Sequence, residues 1–369
     1  MRSAPAPPAP AGPSPRTARA LELLRRATDI PGLPGHEAEL VAWFEAEARA
    51  LGAETRLDRM GSCVALLPAK SPGGPRPRLL VAAHADAIGL VVTEVTRDGF
   101  LRVAPLGGVD SRLLPAQEVW VHGTRRLPGV FGTVPPHFQS PGESRKPIPF
   151  DELFVDVGLP AARARRSVRV GDLVSFRTSL QELLGGRVTG RALDNRASVT
   201  ALLLAIEQLA GWNHAWDVYG AATVQEEVGR GCLGALTTTF AVRPDVALAM
   251  DVTHGEAPGA DDWQTFKMDG GPVLCAGPNV HPAVFRALAD TADAEQIPYQ
   301  VEPSPRSTGT DAMDIQVVGH GVPTGVVGIP LRSMHSAVES LCLRDLERAA
   351  ELVARFAVRL ERGLPGRDE

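Results

Sequence analysis

Residues 79–89 read LLVAAHADAIG, an apolar run that ends in a histidine and, two positions later, an aspartate. A continuous apolar run of this kind is typical of a strand buried on both faces, as in parallel sheets. His84 directly after such a strand, with Asp86 close behind it, suits a metal ligand that is oriented by a carboxylate. Taken alone, a structural histidine beside a turn explains the segment at least as well.

Strand-like and helix-like segments alternate on both sides of this run. Apolar residues at helical spacing predict helices over about 17–30, 36–51, 196–209, 282–295 and 343–362, and one that begins near 231. Short apolar runs predict further strands over 63–67, 217–223, 246–250 and 324–329. This alternation indicates an α/β core with a largely parallel sheet.

Between residues 88 and 186 the pattern changes to short β-type runs separated by Gly/Pro turns, with almost no helix. These predicted strands cover 90–95, 118–122, 130–134, 153–157 and 173–176. We therefore predict an α/β fold with a mixed, largely parallel sheet flanked by helices and an inserted small β domain. The predicted boundaries are a flexible Pro/Ala-rich tail over 1–16, a catalytic domain over 17–87 and 187–369, and the β domain over 88–186.

The composition is that of a soluble globular protein, with 44% hydrophobic and 22% charged residues and a net charge of −5. No apolar stretch is long enough for a membrane span, and the acidic balance gives no reason to expect a nucleic-acid partner. The four cysteines are far apart in apolar surroundings, and the N-terminal run lacks the apolar core of a signal peptide. We expect reduced thiols and a cytoplasmic protein.

Four more segments carry acidic or histidine residues near the ends of predicted core elements. Asp194 opens a predicted helix, where it could be a metal ligand or only a helix cap. Glu226 and Glu227 follow a strand, so one could bind a metal while the other acts as a general base, or both could lie in a solvated loop. Asp251 follows the strand 246–250 and His335 lies before the last helix, and each also has a purely structural explanation.

Together these segments supply two histidines, three aspartates and a glutamate pair, which we expect at one end of the α/β layer. That set fits two divalent ions bridged by a carboxylate and a water. Nitrogen and oxygen ligands without a thiolate favour zinc, cobalt or manganese.

With these segments in this order, the sequence resembles the dimetal aminopeptidases that assemble as hollow tetrahedral particles. This is the glutamyl aminopeptidase family of the co-catalytic zinc exopeptidases, some of whose members were labelled cellulases. The resemblance runs from about residue 20 to 363 and includes 129–137 (GVFGTVPPH), 153–158 (LFVDVG) and 309–312 (GTDA). The long stretch between His84 and Asp194, which holds the β insertion, favours this family over relatives that keep the two residues closer.

The resemblance implies a role for each matching residue. One ion would be held by His84, Asp194 and Asp251, and the other by Asp194, Glu227 and His335, so that Asp194 bridges them. Glu226 matches the general base, and Asp86 matches the acid that orients His84. The two ions per subunit, zinc first with cobalt or manganese as alternatives, would share a bridging hydroxide. The family usually has an acidic residue where this chain has Ala87, a departure that removes no ligand.

The implied activity is hydrolysis of the N-terminal peptide bond of peptides with a free α-amine. The resemblance also implies a homo-oligomer, expected to be a dodecamer. In that assembly the β domain would contribute contacts between subunits or control substrate access. A glycoside hydrolase that uses paired carboxylates and a catalytically silent scaffold of the same fold are the alternatives. The preferred side chain stays open. Arg306 or Arg332 could pair with an acidic side chain of the substrate, and the apolar stretch 326–329 fits a leucine-type pocket. A preference for basic substrate side chains also stays open.

Overall fold

The computed structural model describes residues 14–70, 76–133, 148–229, 231–260, 262–360 and 364. Most of the predicted tail (1–13) and positions 134–137 of the 129–137 segment lie outside these residues. The helices in the described part are α1 (Pro15–Asp29), α2 (Ala38–Ala50), α3 (Ala161–Ser167), α4 (Leu193–Gly211), α5 (Leu233–Val242), α6 (Pro282–Ala294), α7 (Ala312–Ile315) and α8 (Leu343–Arg359).

The described strands fall into a large sheet and a small barrel. Those of the sheet are β1 (Glu54–Leu57), β2 (Cys63–Leu67), β3 (Arg78–His84), β10 (Gln181–Leu183), β11 (Arg187–Gly190), β12 (Asp217–Thr223), β13 (Val246–His254), β14 (Val273–Ala276), β15 (Gln300–Pro303), β16 (Thr324–Arg332) and β17 (Glu339–Cys342). Those of the barrel are β4 (Gly89–Val95), β5 (Leu101–Leu106), β6 (Glu118–His122), β7 (Arg126–Gly132), β8 (Phe154–Asp156) and β9 (Leu173–Phe176).

The main sheet has four parallel strands at its centre and antiparallel strands toward both edges. Its order is β1-β2-β12-β3-β13-β16-β17-β11-β10, with β14 and β15 attached beside β16. Strands β12, β3, β13 and β16 run in the same direction, so their carboxyl ends lie at one edge of the sheet. The predicted fold class, a mixed sheet flanked by helices with a small β insertion, is confirmed.

Helices cover both faces of the sheet. Leu79, Val81 and Ala83 of β3 belong to the large core that also contains α1, α2, α4 and α8. Leu80 and Ala82, which point the other way, join the core formed with α5 and α7. This two-sided burial explains why β3 reads as an uninterrupted apolar run rather than an alternating one.

The segment after β3 closes into a six-stranded barrel with the order β4-β5-β8-β7-β6-β9. Its pairs are antiparallel, and it has an apolar core of its own. The short helix α3 lies in this segment, where the Gly/Pro-rich pattern predicted almost no helix. The chain leaves the main sheet after His84 and rejoins it at β10.

Several elements differ from the predicted ones. Strand β13 continues past Met250 to His254, so Asp251 lies inside the strand and not in a loop after it. The extension follows from pairing, because β13 and β16 stay in register from Ala247 opposite Thr324 to His254 opposite Leu331. The strands β1, β5, β10, β11, β14, β15 and β17 and the short helix α7 were not predicted.

The first helix begins two residues earlier than predicted. Ser14 accepts a hydrogen bond from the backbone N–H of Thr17 at 3.1 Å, and Pro15 occupies the first turn. Both features are typical of a helix start. None of the helices in the residues that the structure describes is long and apolar enough to cross a membrane.

Candidate dinuclear metal site

The predicted acidic and histidine residues come together at the carboxyl edge of the central strands. His84 is the last residue of β3, Asp251 lies in β13, and Glu226 and Glu227 follow β12. Asp194 lies at the start of α4, in a non-helical conformation, and His335 follows β16. Parallel strands bring their carboxyl ends to the same edge, so residues far apart in sequence converge there.

One group of ligand atoms consists of His84, Asp194 and Asp251. The Nε2 atom of His84 lies 3.2 Å from Oδ1 of Asp194 and 3.5 Å from Oδ1 of Asp251. One potential ligand atom from each of the three residues lies within 4.8 Å of the others, and all three residues are buried. The spacing leaves room for one cation between them.

A second group consists of Asp194, Glu227 and His335. The Nε2 atom of His335 lies 3.3 Å from Oδ2 of Asp194 and 3.4 Å from Oε2 of Glu227. These ligand atoms also lie within 4.8 Å of one another. The two carboxylate oxygens of Asp194 therefore face different groups, which is the arrangement that a bridging carboxylate requires.

Buried atoms without hydrogen-bond partners fit a pair of cations. Oε1 of Glu227 has no hydrogen-bond partner among the described residues, and Oδ1 of Asp194 has none apart from Nε2 of His84 at 3.2 Å, itself a candidate ligand atom. A buried carboxylate oxygen without a donor is costly unless a cation compensates it. The donor set of imidazole nitrogens and carboxylate oxygens is one that zinc, cobalt and manganese accept.

Glu226 lies beside the two groups without belonging to either. Its Oε2 atom is 4.0 Å from Nε2 of His84, and its side chain lines the cavity. The Sγ atom of Cys232 lies 3.7 Å from the other oxygen, Oε1, and donates to it. Glu226 is thus placed next to the cation positions with one oxygen directed toward them.

Asp86 holds the loop that carries the glutamate pair. Its two carboxylate oxygens accept the backbone N–H groups of Glu226 at 3.0 Å and Glu227 at 2.9 Å. Nδ1 of His84 lies 3.7 Å from Oδ1 of Asp86 and 3.2 Å from its backbone oxygen. Asp86 therefore positions the loop through its carboxylate and contacts His84 chiefly through its main chain.

Four buried charged residues around the site were not singled out from the sequence. Glu339 accepts the backbone N–H of Asp194 at 3.0 Å and that of His335 at 2.9 Å. Glu37 accepts the N–H of Gln225 at 3.1 Å, and Arg196 donates to the backbone oxygen of Ala85. Asp311 accepts a hydrogen bond from Thr223 at 2.6 Å. A charged residue inside an otherwise apolar element is the one sequence signal that could have found Arg196.

The barrel reaches the candidate metal site through two glycines after β5. A Cβ atom at Gly108 would lie 2.3 Å from Nδ1 of His335, and one at Gly107 would lie 3.3 Å from Oε2 of Glu227. Gly107 also has a positive φ of 77°, a conformation that glycine adopts without strain. The turn therefore approaches the ligands as closely as backbone alone permits.

The two groups of ligands open into a cavity of about 290 Å³. Its lining also contains Cys275, Glu302 and Val326 together with Gly328 and residues 308–310. Of the two arginines considered from the sequence, Arg306 is exposed and Arg332 donates to the backbone oxygen of Glu256, and neither lines the cavity. The volume suits a short peptide terminus rather than a large folded substrate.

Burial and mutual repulsion raise the pKa values of the glutamate pair. Burial is the main cause for Glu226, whose pKa rises to about 8, and the negative charge of Asp251 adds to it. Burial and the charge of Asp194 raise the pKa of Glu227 to about 10. These carboxyl groups therefore hold protons at neutral pH unless a cation replaces them.

The charges also shift the pKa values of the other ligands. Burial disfavours the charged form of His84, but the carboxylates of Asp251 and Glu226 outweigh it and hold the pKa well above its ordinary range. Burial would raise the pKa of Asp194, and the two neighbouring histidines lower it instead. The cluster thus gathers more carboxyl groups than imidazoles, and without a cation it limits its negative charge by keeping protons on Glu226 and Glu227.

Comparison with known proteins gives matches over nearly the whole chain. A family model described as M42 glutamyl aminopeptidase matches residues 61–352. The lysyl aminopeptidase of Pyrococcus furiosus is 35% identical over 337 residues, which cover 90% of this chain and 94% of that protein. A solved aminopeptidase from the archaeon Desulfurococcus kamchatkensis has a TM-score of 0.85 and 35% identity and covers 93% of this chain and 95% of its own. The Pyrococcus horikoshii TET1 peptidase has a TM-score of 0.81 and 31% identity, and the match covers 92% of this chain and 100% of that one. It is described as able to assemble into a tetrahedron or a large octahedral shell.

The raised pKa values predict how the stability of chelator-treated protein depends on pH. Between about pH 6.5 and 8 the folded protein retains protons on Glu226 and Glu227 that the unfolded chain releases near its ordinary value of 4.5. The raised pKa of His84 acts in the same direction, and the lowered pKa of Asp194 has no effect in this window. The free energy of unfolding, measured by urea denaturation with chelator present, is therefore expected to fall as the pH rises.

Added divalent metal should reverse this trend, because the ligands bind a cation in their deprotonated forms. A Glu227→Gln variant is the matched control, and its metal-free form should lose less stability across the same window. A rise in the stability of the chelated wild-type protein from pH 6.5 to 8 would contradict the assigned shifts.

Proposed function

The chain belongs to the M42 glutamyl aminopeptidase family and is an aminopeptidase. We propose that it removes N-terminal residues from peptides at a site holding two divalent ions. The observation that carries this proposal is the shared carboxylate of Asp194. One of its oxygens lies 3.2 Å from Nε2 of His84 and the other 3.3 Å from Nε2 of His335. Such sharing is what a pair of co-catalytic ions needs.

The proposed ligands are those that the geometry brings together. His84, Asp194 and Asp251 hold one ion, and Asp194, Glu227 and His335 hold the other. Bound there, two divalent ions supply a water of lowered pKa and polarise the scissile carbonyl group. The buried Oε1 atom of Glu227, which has no hydrogen-bond partner among the described residues, supports this assignment. Zinc is the proposed metal, with cobalt and manganese as the alternatives that the same ligands accept.

Glu226 is the proposed general base. It takes the proton of the attacking water and then delivers it to the leaving amine. Its position supports this role, because its Oε2 atom lies 4.0 Å from Nε2 of His84 while the residue belongs to neither ligand group, so the carboxylate is free to take up and release a proton beside the ions. Asp86 acts as a positioning residue, since its carboxylate holds the backbone of Glu226 and Glu227.

The cavity favours a substrate with a free amino terminus. Five carboxylates line it, namely those of Asp194, Glu226, Glu227, Asp251 and Glu302. No lysine or arginine stands among the lining residues in the described ranges. Five carboxylates exceed the four positive charges of two divalent ions by only one, so the main advantage of a free α-amine is that it would offer a nitrogen ligand to one of the ions, which an acetylated terminus would not.

The glycoside hydrolase alternative explains fewer of these residues. Paired carboxylates alone suffice for glycoside hydrolysis. It gives no role to the two imidazoles that face Asp194 from opposite sides. A silent scaffold would have no need for unpaired buried carboxylate oxygens, which destabilise the fold when no cation binds.

The test of the proposed function is hydrolysis of aminoacyl p-nitroanilides after chelator treatment, with zinc, cobalt or manganese added back singly. We expect activity to disappear with chelation and to return with at least one metal, because the nucleophile depends on the ions. N-acetylated versions of the same substrates serve as the control and should not be cut. Activity on a glycan that survives chelation, or efficient cleavage of acetylated substrates, would overturn the proposal.

Replacement of the general base should separate catalysis from metal binding. Glu226→Gln is expected to lower kcat by about 100- to 10,000-fold, the range typical of general-base catalysis, while two metal ions per chain remain bound. The measurements are steady-state kinetics and metal content by elemental analysis. Glu152→Gln, at an exposed position of the barrel segment, is the matched control and should keep both. Near-normal turnover of Glu226→Gln would remove Glu226 from this role.

The remaining proposals concern domains, assembly and compartment. We propose that 17–87 and 187–369 form the catalytic domain and that 88–186 form a β domain that builds contacts between copies or limits substrate access. The closed barrel with its own core supports this division. The named assemblies of the horikoshii relative support a homo-oligomer, which we propose to be a dodecamer. Four buried free cysteines support a reducing, cytoplasmic location.

The mass of the particle in solution tests the assembly. Light scattering or sedimentation analysis of the full chain should give twelve times the mass of one chain. Removal of metal by dialysis against chelator followed by the same measurement shows whether assembly depends on the ions. A stable monomer or dimer at micromolar concentration would contradict the dodecamer and leave the aminopeptidase proposal in place.

A further inference from the structure

The cavity has a second charged end, formed by Glu302 on β15. Its Oε2 atom accepts a hydrogen bond of 2.9 Å from the hydroxyl of Thr253. Thr253 lies two residues after Asp251 on β13, so the two side chains point to the same face of the sheet. Two residues along a strand span about 7 Å, which places Glu302 roughly one side-chain length from the ligands.

The carboxylate of Glu302 can accept further hydrogen bonds or bind a cation. The Thr253 hydroxyl is the one hydrogen-bond donor that the described residues provide to it, and no described lysine or arginine lies within 4.0 Å. Burial raises its pKa, although the Thr253 hydrogen bond and the positive potential of His254 oppose this effect. A half-buried carboxylate with a free oxygen gains strongly from a cation that enters the cavity.

The surroundings of Glu302 fit an aliphatic chain with a charged end. Cys275 lies opposite Glu302 in the pairing of β14 with β15, and both Cys275 and Val326 line the cavity that the ligands share with Glu302. Gly328 keeps space open, since a Cβ atom there would lie 3.0 Å from Cγ2 of Thr253. Lysine has a four-carbon stem and arginine a slightly longer one with a forked head. An acidic side chain would instead meet a carboxylate of the same sign.

We propose that Glu302 determines side-chain specificity by binding the positive charge of an N-terminal lysine or arginine. The proposal rests on the proposed aminopeptidase function and names the residues that the enzyme prefers to release. The α-amine end of the substrate occupies the side of the cavity lined by the metal ligands, and the ammonium or guanidinium group reaches Glu302 at the other end. The neutral side chains between them hold the methylene stem.

The test compares Lys-, Arg-, Met-, Leu- and Glu-p-nitroanilide on the metal-loaded enzyme. The wild type should show kcat/KM values for Lys and Arg that exceed those for Met and Leu, with Glu lowest. Glu302→Gln keeps the shape and the acceptor for Thr253, and should lower kcat/KM for Lys and Arg by about 10- to 100-fold. Values for Met and Leu should stay within about threefold, because those substrates place no charge at this position.

A second variant distinguishes direct contact from the general negative field of the cavity. Glu302→Asp keeps the charge but withdraws it by one methylene, so the longer arginine substrate should lose less than the lysine substrate. Glu94→Gln, at an exposed position of β4, is the matched control and should leave all ratios unchanged. Circular dichroism and thermal unfolding show whether each variant is folded.

The outcomes separate this inference from the proposed function. If no substrate is cut with any metal, both are overturned. If the wild type prefers Met or Leu, or if Glu302→Gln leaves the ratio of Lys to Met unchanged, the assignment of Glu302 is wrong while the aminopeptidase function stands. A Lys to Met ratio that collapses in Glu302→Gln and persists in Glu94→Gln supports the inference.

Discussion

The compensation of negative charge at Asp194 is the constraint on which the rest of the structure depends. This carboxylate is buried, faces an imidazole on each side and has further carboxylates nearby. Without cations such a cluster opposes folding, because burial and repulsion act together. The fold therefore fixes the surrounding backbone by carboxylates that are themselves satisfied. Glu339 holds the main chain at Asp194 and His335, and Asp86 holds the loop of Glu226 and Glu227.

Much of this organisation could be predicted from the sequence, since it depends on local patterns. Apolar runs followed by polar residues marked the strands and their carboxyl ends, and the order of these segments identified the family. His84 and Asp251 could be proposed as ligands because the resemblance to the family assigns them that role; the sequence around each of them, taken alone, also had a structural explanation. The closed barrel was predicted only as a set of short strands, because strand order depends on long-range pairing.

The features that sequence reasoning missed depend on contacts between distant segments. Glu339 bonds to a residue more than a hundred positions earlier in the chain, and nothing near it in sequence signals that contact. Strand β15 is short and half exposed, so its pattern did not predict a strand, and Glu302 could not be placed in the cavity. The end of β13 was misplaced because its pairing with β16, not its composition, keeps it extended through His254.

The approach of Gly107 and Gly108 to the ligands has a consequence for how this chain can be rebuilt or can evolve. The barrel has its own core and resembles a separable module, yet its turn forms part of the wall around His335 and Glu227. A graft of a foreign barrel, or a circular permutation that opens this turn, would have to reproduce two consecutive positions without side chains. Exchange of the barrel is therefore restricted at the turn of Gly107 and Gly108. Substitutions in this turn and in the wall around His335 and Glu227 must be compatible with each other.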